Sequence, residues 1–488
     1  MTRPNSHATS ITGAGVRLPA AQSAATGEVF SMHGKAGMPE VAGDHLNAAR
    51  FLDDHGADLR YSPELRTWFM WTGAWWEEDR LDRILVLAAD TIDRLRPWVL
   101  EAGGTDEFKR RSKHYEQSAR AGRRESLLSI AGVEPEVAVA IDRLDGHPHL
   151  LACSNGTVDL RTGELRPATR SHLLTRGVNV DYDAGATSDV WGRFIAEIFD
   201  GDDELIAYVQ RLLGYCLTGV VHEHVMPVLW GAGANGKSTL IGVVQDLLGD
   251  LAMTAPEGLV IRHDHDPHPE RIASMRGKRM VVSAELEEKA VLAEQTVKLL
   301  TGGDTLSARE LYGRRFNFSP SHKVLLVTNH RPRVRGTDHA IWRRIRLVPF
   351  NVIIPLEHQD PDLRRRLLDD HGPSVLAWLV RGAVSWHQDG LGTADAVETA
   401  TDGYRRSQDL LATFLAECTV EAAGQRTKVG NLYDEWRRWC ERSGERPGRK
   451  QDFAAALDET SLTTEMYQGY KLVRDLGLRT NITEREDR

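Results

Sequence analysis

Cysteine is scarce: four residues in 488 (Cys153, Cys216, Cys418, Cys440), none in a C-x-x-C pair. That scatter excludes a disulfide framework and a cysteine-based zinc site, and it fits a reducing cytoplasm. No run of 18 or more apolar residues occurs, so no membrane-spanning helix is expected. Residues 1–43 mix Ala, Gly, Ser, Thr and Pro without the apolar core of a signal peptide, and they read as a disordered leader. Internal repeats are lacking. Positive charge is also short overall, with Lys+Arg 61 against Asp+Glu 70 and a net charge of -9. Such a balance argues against a nucleic-acid binder until its distribution is considered. Between Arg309 and Arg346, nine Arg and one Lys face only Glu310 and Asp338. Two further basic stretches, 109–124 and 437–450, read as solvated faces. Arg is used far more than Lys beside abundant Ala, which suggests a GC-rich genome.

What is present is ordinary for a folded chain: 41% hydrophobic and 27% charged residues, enough for two or three domains with their own cores. After the leader, 47–76 reads as a short helix followed by Trp-rich strands, with Trp68, Trp71, Trp75 and Trp76 flanking a Thr72-Gly73 turn. Residues 82–100 and 107–130 have helical spacing. Asn155-Gly-Thr-Val-Asp-Leu-Arg-Thr-Gly-Glu-Leu165 carries two Gly turn signals around a short strand, a hairpin pattern. Helical spacing returns at 189–217. From Pro227 to about Phe350, strands and helices alternate, the mark of an α/β domain with a largely parallel sheet. Helices follow at 362–387 and 394–416. The last unit, 431–477, has the size and pattern of a winged helix. The expected domains are the leader (1–43), a mixed α+β N-terminal domain (44–188), a P-loop ATPase core (189–352), a helical region (353–416) and a winged-helix-like C-terminal domain (417–488).

The chemistry is concentrated in the α/β stretch. The apolar strand Met226-Pro-Val-Leu-Trp230 runs directly into Gly231-Ala232-Gly233-Ala234-Asn235-Gly236-Lys237-Ser238-Thr239, which satisfies G-x-x-x-x-G-K-[ST]. Glycines let the backbone curl so that successive N–H groups point at a β-phosphate. Lys237 would place its charge between the β- and γ-phosphates, Ser238 would ligate Mg²⁺, and the following helix would offer its positive end. A second strand ends in Glu285-Leu286-Glu287-Glu288. A P-loop enzyme needs a carboxylate at the tip of a neighbouring strand to support Mg²⁺ and polarise water. Glu285 is in place for it, and on a continuing strand Glu287 would share its face. A third strand, Lys323-Val-Leu-Leu-Val-Thr328, ends in Asn329, which could reach a γ-phosphate and its water. Arg343 and Arg344 follow in Ile341-Trp-Arg-Arg-Ile-Arg346, either of which could complete a neighbouring subunit's site. Between these elements, two β-like arms flank Tyr312-Gly313, with Arg309, Arg314 and Arg315 near the tip. Arginines beside an aromatic suit phosphate tracking with base stacking.

Taken together, Gly-Ala-Asn-Gly-Lys-Ser-Thr, Val-Lys-Leu-Leu-Thr-Gly-Gly-Asp (297–304), Thr-Asn-His-Arg-Pro (328–332) and Asp338-His-Ala-Ile-Trp-Arg-Arg-Ile-Arg resemble the superfamily 3 helicases of the AAA+ class. The closer resemblance is to the helicase part of the phage, plasmid and poxvirus primase-helicases. It extends upstream through 155–165 and Leu213-Gly-Tyr-Cys-Leu-Thr-Gly219, and downstream through Tyr404-Arg-Arg-Ser-Gln-Asp-Leu410. The resemblance implies an ATP- and Mg²⁺-dependent ring, usually a hexamer, that moves 3′ to 5′ on one DNA strand with hairpins lining its pore. Two features depart from that pattern. Leu286 separates acids that are often adjacent in such helicases. Only about 190 residues precede the motor, and Val178-Asn-Val-Asp-Tyr-Asp183 lacks a nearby His, so primase activity is not expected. The expected function is a DNA helicase for replication of a phage, prophage or plasmid in a bacterial cytoplasm, with no membrane partner. The rivals are an AAA+ ATPase or loader that does not unwind, and an origin-binding protein whose ATPase drives assembly.

Overall fold

The computed structural model describes residues 43–479 apart from 263–268, 285–289, 310–314, 335–338, 409, 446, 459 and 461. Residues 1–42 of the leader lie outside the described residues. The chain divides into two compact units. The span 44–188, read from sequence as one domain, is shared between them.

The first unit comprises residues 43–55 and 85–131. It holds the helices Asp44–His55, Arg96–Leu100, Thr105–Ser118 and Ala121–Ala131. The helical stretch expected at 82–100 breaks because Pro97 starts a new helix, where its missing N–H and fixed φ cost nothing. Buried Asn47 ties the helices together: its amide donates to Ser118 Oγ at 2.8 Å, and its Oδ1 lies 3.3 Å from His114 Nε2. The basic stretch 109–124 sits here and is partly paired internally, Arg111 with Glu107 and Arg123 with Asp44.

The second unit, 56–84 and 132–479, contains every strand found among the described residues. Its first sheet is antiparallel, β1 (Leu59–Ser62), β2 (Thr67–Trp71) and β3 (Trp76–Glu78), in that order. Trp71 pairs with Trp76 across the expected Thr72-Gly73 turn. The second sheet has the order β6-β5-β4-β7, from β4 (Leu150–Cys153), β5 (Gly156–Asp159), β6 (Glu164–Arg166) and β7 (Gly177–Val178). The two Gly signals of 155–165 are its two hairpin turns, β4–β5 and β5–β6.

Next come the helices Asp189–Ile198 and Asp203–Leu217, each capped by a side chain, Ser188 and Asp202. Two buried cations then tie the end of the second helix to the parallel sheet. Arg279 donates to Leu217 O at 2.5 Å and Leu150 O at 2.6 Å, while Lys323 donates to Thr218 O. Cations at a helix C-terminus complement its partial negative charge. Burial lowers the Lys323 ammonium to about 7. Helix Asp203–Leu217 also packs on helix Gly372–Asp389 so tightly that a Cβ on Gly214 would collide with the Gly382–Ala383 backbone.

The third sheet is fully parallel, with strand order β14-β8-β13-β10-β9: β8 (Met226–Trp230), β9 (Ala252–Thr254), β10 (Met280–Ala284), β13 (Lys323–Thr328) and β14 (Ile345–Pro349). Its central strands are near-continuous buried apolar runs because helices cover both faces. The acidic strand β10 is not next to the P-loop strand β8. β13 is inserted between them, pairing Leu326 with Val228 on one side and Ser283 on the other. Between β10 and β13 in the chain stands the antiparallel pair β11 (Leu306–Arg309) and β12 (Arg315–Phe318).

The C-terminal subdomain follows helices Asp395–Gln408 and Leu410–Cys418. It runs β15 (Thr419–Lys428), helix Val429–Ser443, helix Lys450–Asp458, β16 (Thr464–Tyr467) and β17 (Tyr470–Leu478), with sheet order β15-β17-β16. Phe414, Trp436, Trp439, Phe453 and Leu457 form its own core. Among the described residues, no helix is long and apolar enough to cross a membrane.

Candidate active site

The phosphate-binding candidate sits at the carboxyl edge of the parallel sheet, where β8 turns into helix Lys237–Leu248. That helix begins at Lys237, directly after Gly236. The turn is tight. Ala234 and Gly236 both have positive φ, 57° and 78°. Gly231 admits no side chain, because a Cβ there would run into Phe350 O, and at Gly236 it would run into Ile198. Buried Asn235 holds the loop shut: its amide donates to Ala232 O and, at 3.3 Å, to Phe350 O. The rim of the loop, Ala232, Gly233 and Ala234, is exposed. Ser238, in the first turn of the helix, is exposed as well, and Thr239 beyond it is half-buried.

Lys237 is the centre of this arrangement. Its side chain is buried, and its Nζ donates to Gly231 O (2.8 Å), Asn235 Oδ1 (3.0 Å), Asn329 Oδ1 (3.2 Å) and Ala232 O (3.3 Å). Burial lowers its pKa to about 8. Asn329 thus arrives from the tip of β13, the strand beside the P-loop strand, and its carbonyl accepts the Trp230 indole N–H at 3.1 Å. Two of the motifs separated by 92 residues meet in one hydrogen bond. The donor set fits a polyphosphate with its cation: curled backbone, a buried ammonium, a helix N-terminus and the Ser238 hydroxyl in its first turn. Glu285 and Glu287 lie outside the described residues. Among the described residues there is no cluster of His, Cys, Asp and Glu able to hold a metal by itself.

The two consecutive arginines separate. Arg343 is exposed. Arg344 is 9% exposed and bonded inside the chain, to Thr301 Oγ1 at 3.1 Å and Ala340 O at 2.8 Å. A guanidinium held that way is engaged within its own chain, which favours exposed Arg343 over Arg344 as the arginine offered to a neighbour. In the β11–β12 pair, Arg309 stands directly opposite Arg315, and both are exposed while Leu306 and Ala308 point inward. Like charges directly opposite each other are unfavourable. Tyr312 and Arg314 lie outside the described residues.

Some residues of this region give no signal as individuals in the sequence. Trp230 and Arg331 form a cation–aromatic contact, 4.8 Å from Cζ to ring centroid, at the root of the P-loop. In the sequence Arg331 belongs to a charge run and to the Thr-Asn-His-Arg-Pro segment, and neither points to an aromatic partner. Phe350 serves through its carbonyl, which no side-chain pattern encodes.

Residues 48–200 match the family described as D5 N terminal like, and residues 229–344 match a family of unknown function, DUF5906. The chain is 26% identical over 322 residues to "Putative helicase L207/L206" of Acanthamoeba polyphaga mimivirus, across 61% of this chain and 33% of that protein. It is 29% identical over 224 residues to "Putative helicase 184R" of Invertebrate iridescent virus 6, across 43% of this chain and 23% of that one. "Putative primase C962R" of African swine fever virus is 24% identical over 327 residues, across 61% of this chain and 34% of that protein. The chain therefore spans at most 34% of the length of these three relatives. The solved apo C-terminal region of NrS-1 aligns with 86% of this chain and 95% of that one, at a TM-score of 0.47 and 9% identity. The D5 N terminal like match and the viral relatives support the primase-helicase family.

Proposed function

We propose that the chain is an ATP-dependent DNA helicase of the superfamily 3, AAA+ type, acting as a ring, usually a hexamer, that moves 3′ to 5′ in replication of a phage, prophage or plasmid. The observation that carries the reading is the Lys237–Asn329 hydrogen bond, which joins the P-loop to the tip of the inserted strand β13. The viral relatives named as helicases and a primase agree with it. Magnesium-bound ATP, when present, supplies the phosphoryl group whose transfer to water drives the cycle. The loop 231–236 and the helix N-terminus receive the phosphates, and Lys237 neutralises the charge between the outer two. Ser238 ligates Mg²⁺. Glu285 takes the role of polarising water, with Glu287 as the alternative, and Asn329 orients it. Arg343 serves a neighbouring subunit. Arg309, Arg314, Arg315 and Tyr312 grip a single strand, and the exposure of Arg309 and Arg315 side by side on the β11–β12 pair supports that role.

The test is strand displacement on a duplex with a 3′ single-stranded tail. Displacement that needs ATP and is absent with a 5′ tail supports the proposal. ATP hydrolysis without displacement on either substrate overturns it in favour of a loader or origin-binding ATPase. That second reading draws on the C-terminal subdomain, whose two helices and three-stranded sheet follow a winged-helix order. Footprinting on the replicon's own DNA with and without ATP separates it from the first.

A further inference from the structure

Six consecutive residues after β13, 329–334, tie together several parts of the second unit. Asn329 bonds Lys237 through its side chain and Trp230 through its carbonyl. The Thr328 hydroxyl closes the bend, donating to His330 O at 2.7 Å and accepting from His330 N at 3.0 Å. The Arg331 guanidinium lies over the Trp230 ring and, at 5.7 Å, over the Tyr404 ring. Pro332 O accepts the buried Tyr404 hydroxyl from helix Asp395–Gln408. Val334 N donates to Gln408 Oε1 of the same helix at 3.0 Å.

Arg333 makes the longest connection. Its backbone is strand-bonded to residues 290–292, which follow the acidic run 285–288 in the sequence, N–H to Ala290 O at 2.7 Å and O from Leu292 N at 2.9 Å. Its side chain crosses to the C-terminal subdomain, where Nη1 meets Glu445 Oε1 at 2.6 Å. The pair is partly shielded, with side-chain exposures of 36% and 19%. Glu445 is itself fixed, because its N–H bonds Cys440 O at the end of helix Val429–Ser443, beyond left-handed Gly444. Four residues of backbone, at most roughly 14 Å, therefore separate the side chain bonded to Lys237 from the residue that grips the end of a helix in the C-terminal subdomain. Every one of those residues is pinned, so the segment can transmit a displacement and has little freedom to absorb it.

We propose that residues 329–334 act as a strap by which the C-terminal subdomain sets the position of Asn329, with Arg333 and Glu445 as positioning residues for ATP turnover. The inference rests on the ATPase reading and adds a regulator to it. Coupling of this kind is a shared two-state element that both ends bias, and it is reciprocal. Occupancy of the P-loop must therefore alter the end of helix Val429–Ser443.

The experiment uses the full chain, hydrogen exchange with and without a non-hydrolysable ATP analogue and Mg²⁺, and steady-state ATPase. In the wild type, bound analogue should slow exchange of the amides at 440–445 at least about threefold. Arg333→Ala and Glu445→Ala should bind the analogue within about twofold of wild type and lose that response. Their kcat should fall about three- to tenfold with KM within about twofold. The double variant Arg333→Ala/Glu445→Ala should be no worse than the poorer single, and the exchange of charges, Arg333→Glu with Glu445→Arg, should restore more than half of the missing kcat. Damage that each variant does independently of the pair would add in the double variant and would not be rescued by the swap, and a pair that only holds the fold together would leave no response of 440–445 to the analogue. A wild type that binds the analogue with unchanged exchange at 440–445 overturns the strap, as do additive losses without rescue. A wild type that binds no analogue overturns the ATPase reading, and the strap with it.

Discussion

Substituting Asn329 separates two roles that one side chain combines. Its main-chain carbonyl holds Trp230 at 3.1 Å whatever the side chain, so the tip of β13 should stay in place in either variant. Asn329→Ala removes the Oδ1 that lies 3.2 Å from Lys237 Nζ, together with the amide available to a phosphate or its water. Hydrogen bonds to charged groups are worth about 1.5–3 kcal/mol, so kcat should fall about ten- to hundredfold. Affinity should change little, because Lys237 keeps three other oxygen partners. Asn329→Asp is the informative contrast. A carboxylate at the same distance attracts the ammonium by roughly 5 kcal/mol at an effective dielectric of 20. Exposure of Asn329 reduces that to about 1–2 kcal/mol, and the new anion also repels phosphate. Nucleotide affinity should then fall at least about tenfold. The assay is titration of a fluorescent ATP analogue beside steady-state phosphate release. An Asp variant that binds like wild type, or an Ala variant with full kcat, would refute the claim that Asn329 and Lys237 serve one ligand.

Three further outcomes follow from the geometry. Arg343→Ala should be inactive alone and should regain ATPase when mixed with Lys237→Ala, because some interfaces then hold a complete site, whereas Arg344→Ala should instead lower the melting temperature by removing its internal hydrogen bonds; no activity in any Arg343→Ala mixture would count against a shared site. Replacing Arg309 and Arg315 by Ala should flatten the dependence of log single-strand affinity on log salt by about 0.7 for each phosphate no longer gripped, equally for all sequences, and an unchanged slope would place DNA elsewhere. Buried Lys323, lowered to about 7 by desolvation, gives up its proton in the folded chain while the unfolded chain keeps it up to its ordinary value. Stability should therefore rise with pH above about 7, by up to about 1.4 kcal/mol per unit; a melting temperature that falls from pH 7 to 9, or rises equally in Lys323→Met, would contradict this.

The phosphate loop, the order of strands and helices from Pro227 to Phe350 and the placing of Asn329 at a strand tip were legible because each is written in local pattern: a strand, a glycine-rich turn, a polar residue where an apolar run ends. Strand order was not, since the insertion of β13 between β8 and β10 is a long-range pairing that periodicity does not encode. Helices expected as single pieces break where Pro97 and Pro373 open new first turns. The division of 44–188 between two units depends on which residues pack together, and a composition that shifts little along that stretch gives no boundary. Arg343 and Arg344 were indistinguishable as neighbours in sequence. Only the burial of one separates them, set by Thr301 on a helix 43 residues upstream. Arg333 was hidden in the same way: its partner Glu445 lies 112 residues downstream, and a tally of charge cannot name it.

The central claim is that Lys237 and its loop turn over ATP to drive motion on DNA, and the most direct measurement is phosphate release from Mg²⁺-ATP with and without single-stranded DNA, wild type beside Lys237→Ala. The account predicts that wild type hydrolyses ATP, that single-stranded DNA raises kcat several-fold, and that Lys237→Ala loses more than about 99% of both activities, since no other cation is set in the loop to neutralise the transferring phosphoryl group. Phosphate release that is indifferent to DNA, or that survives in Lys237→Ala, would contradict it.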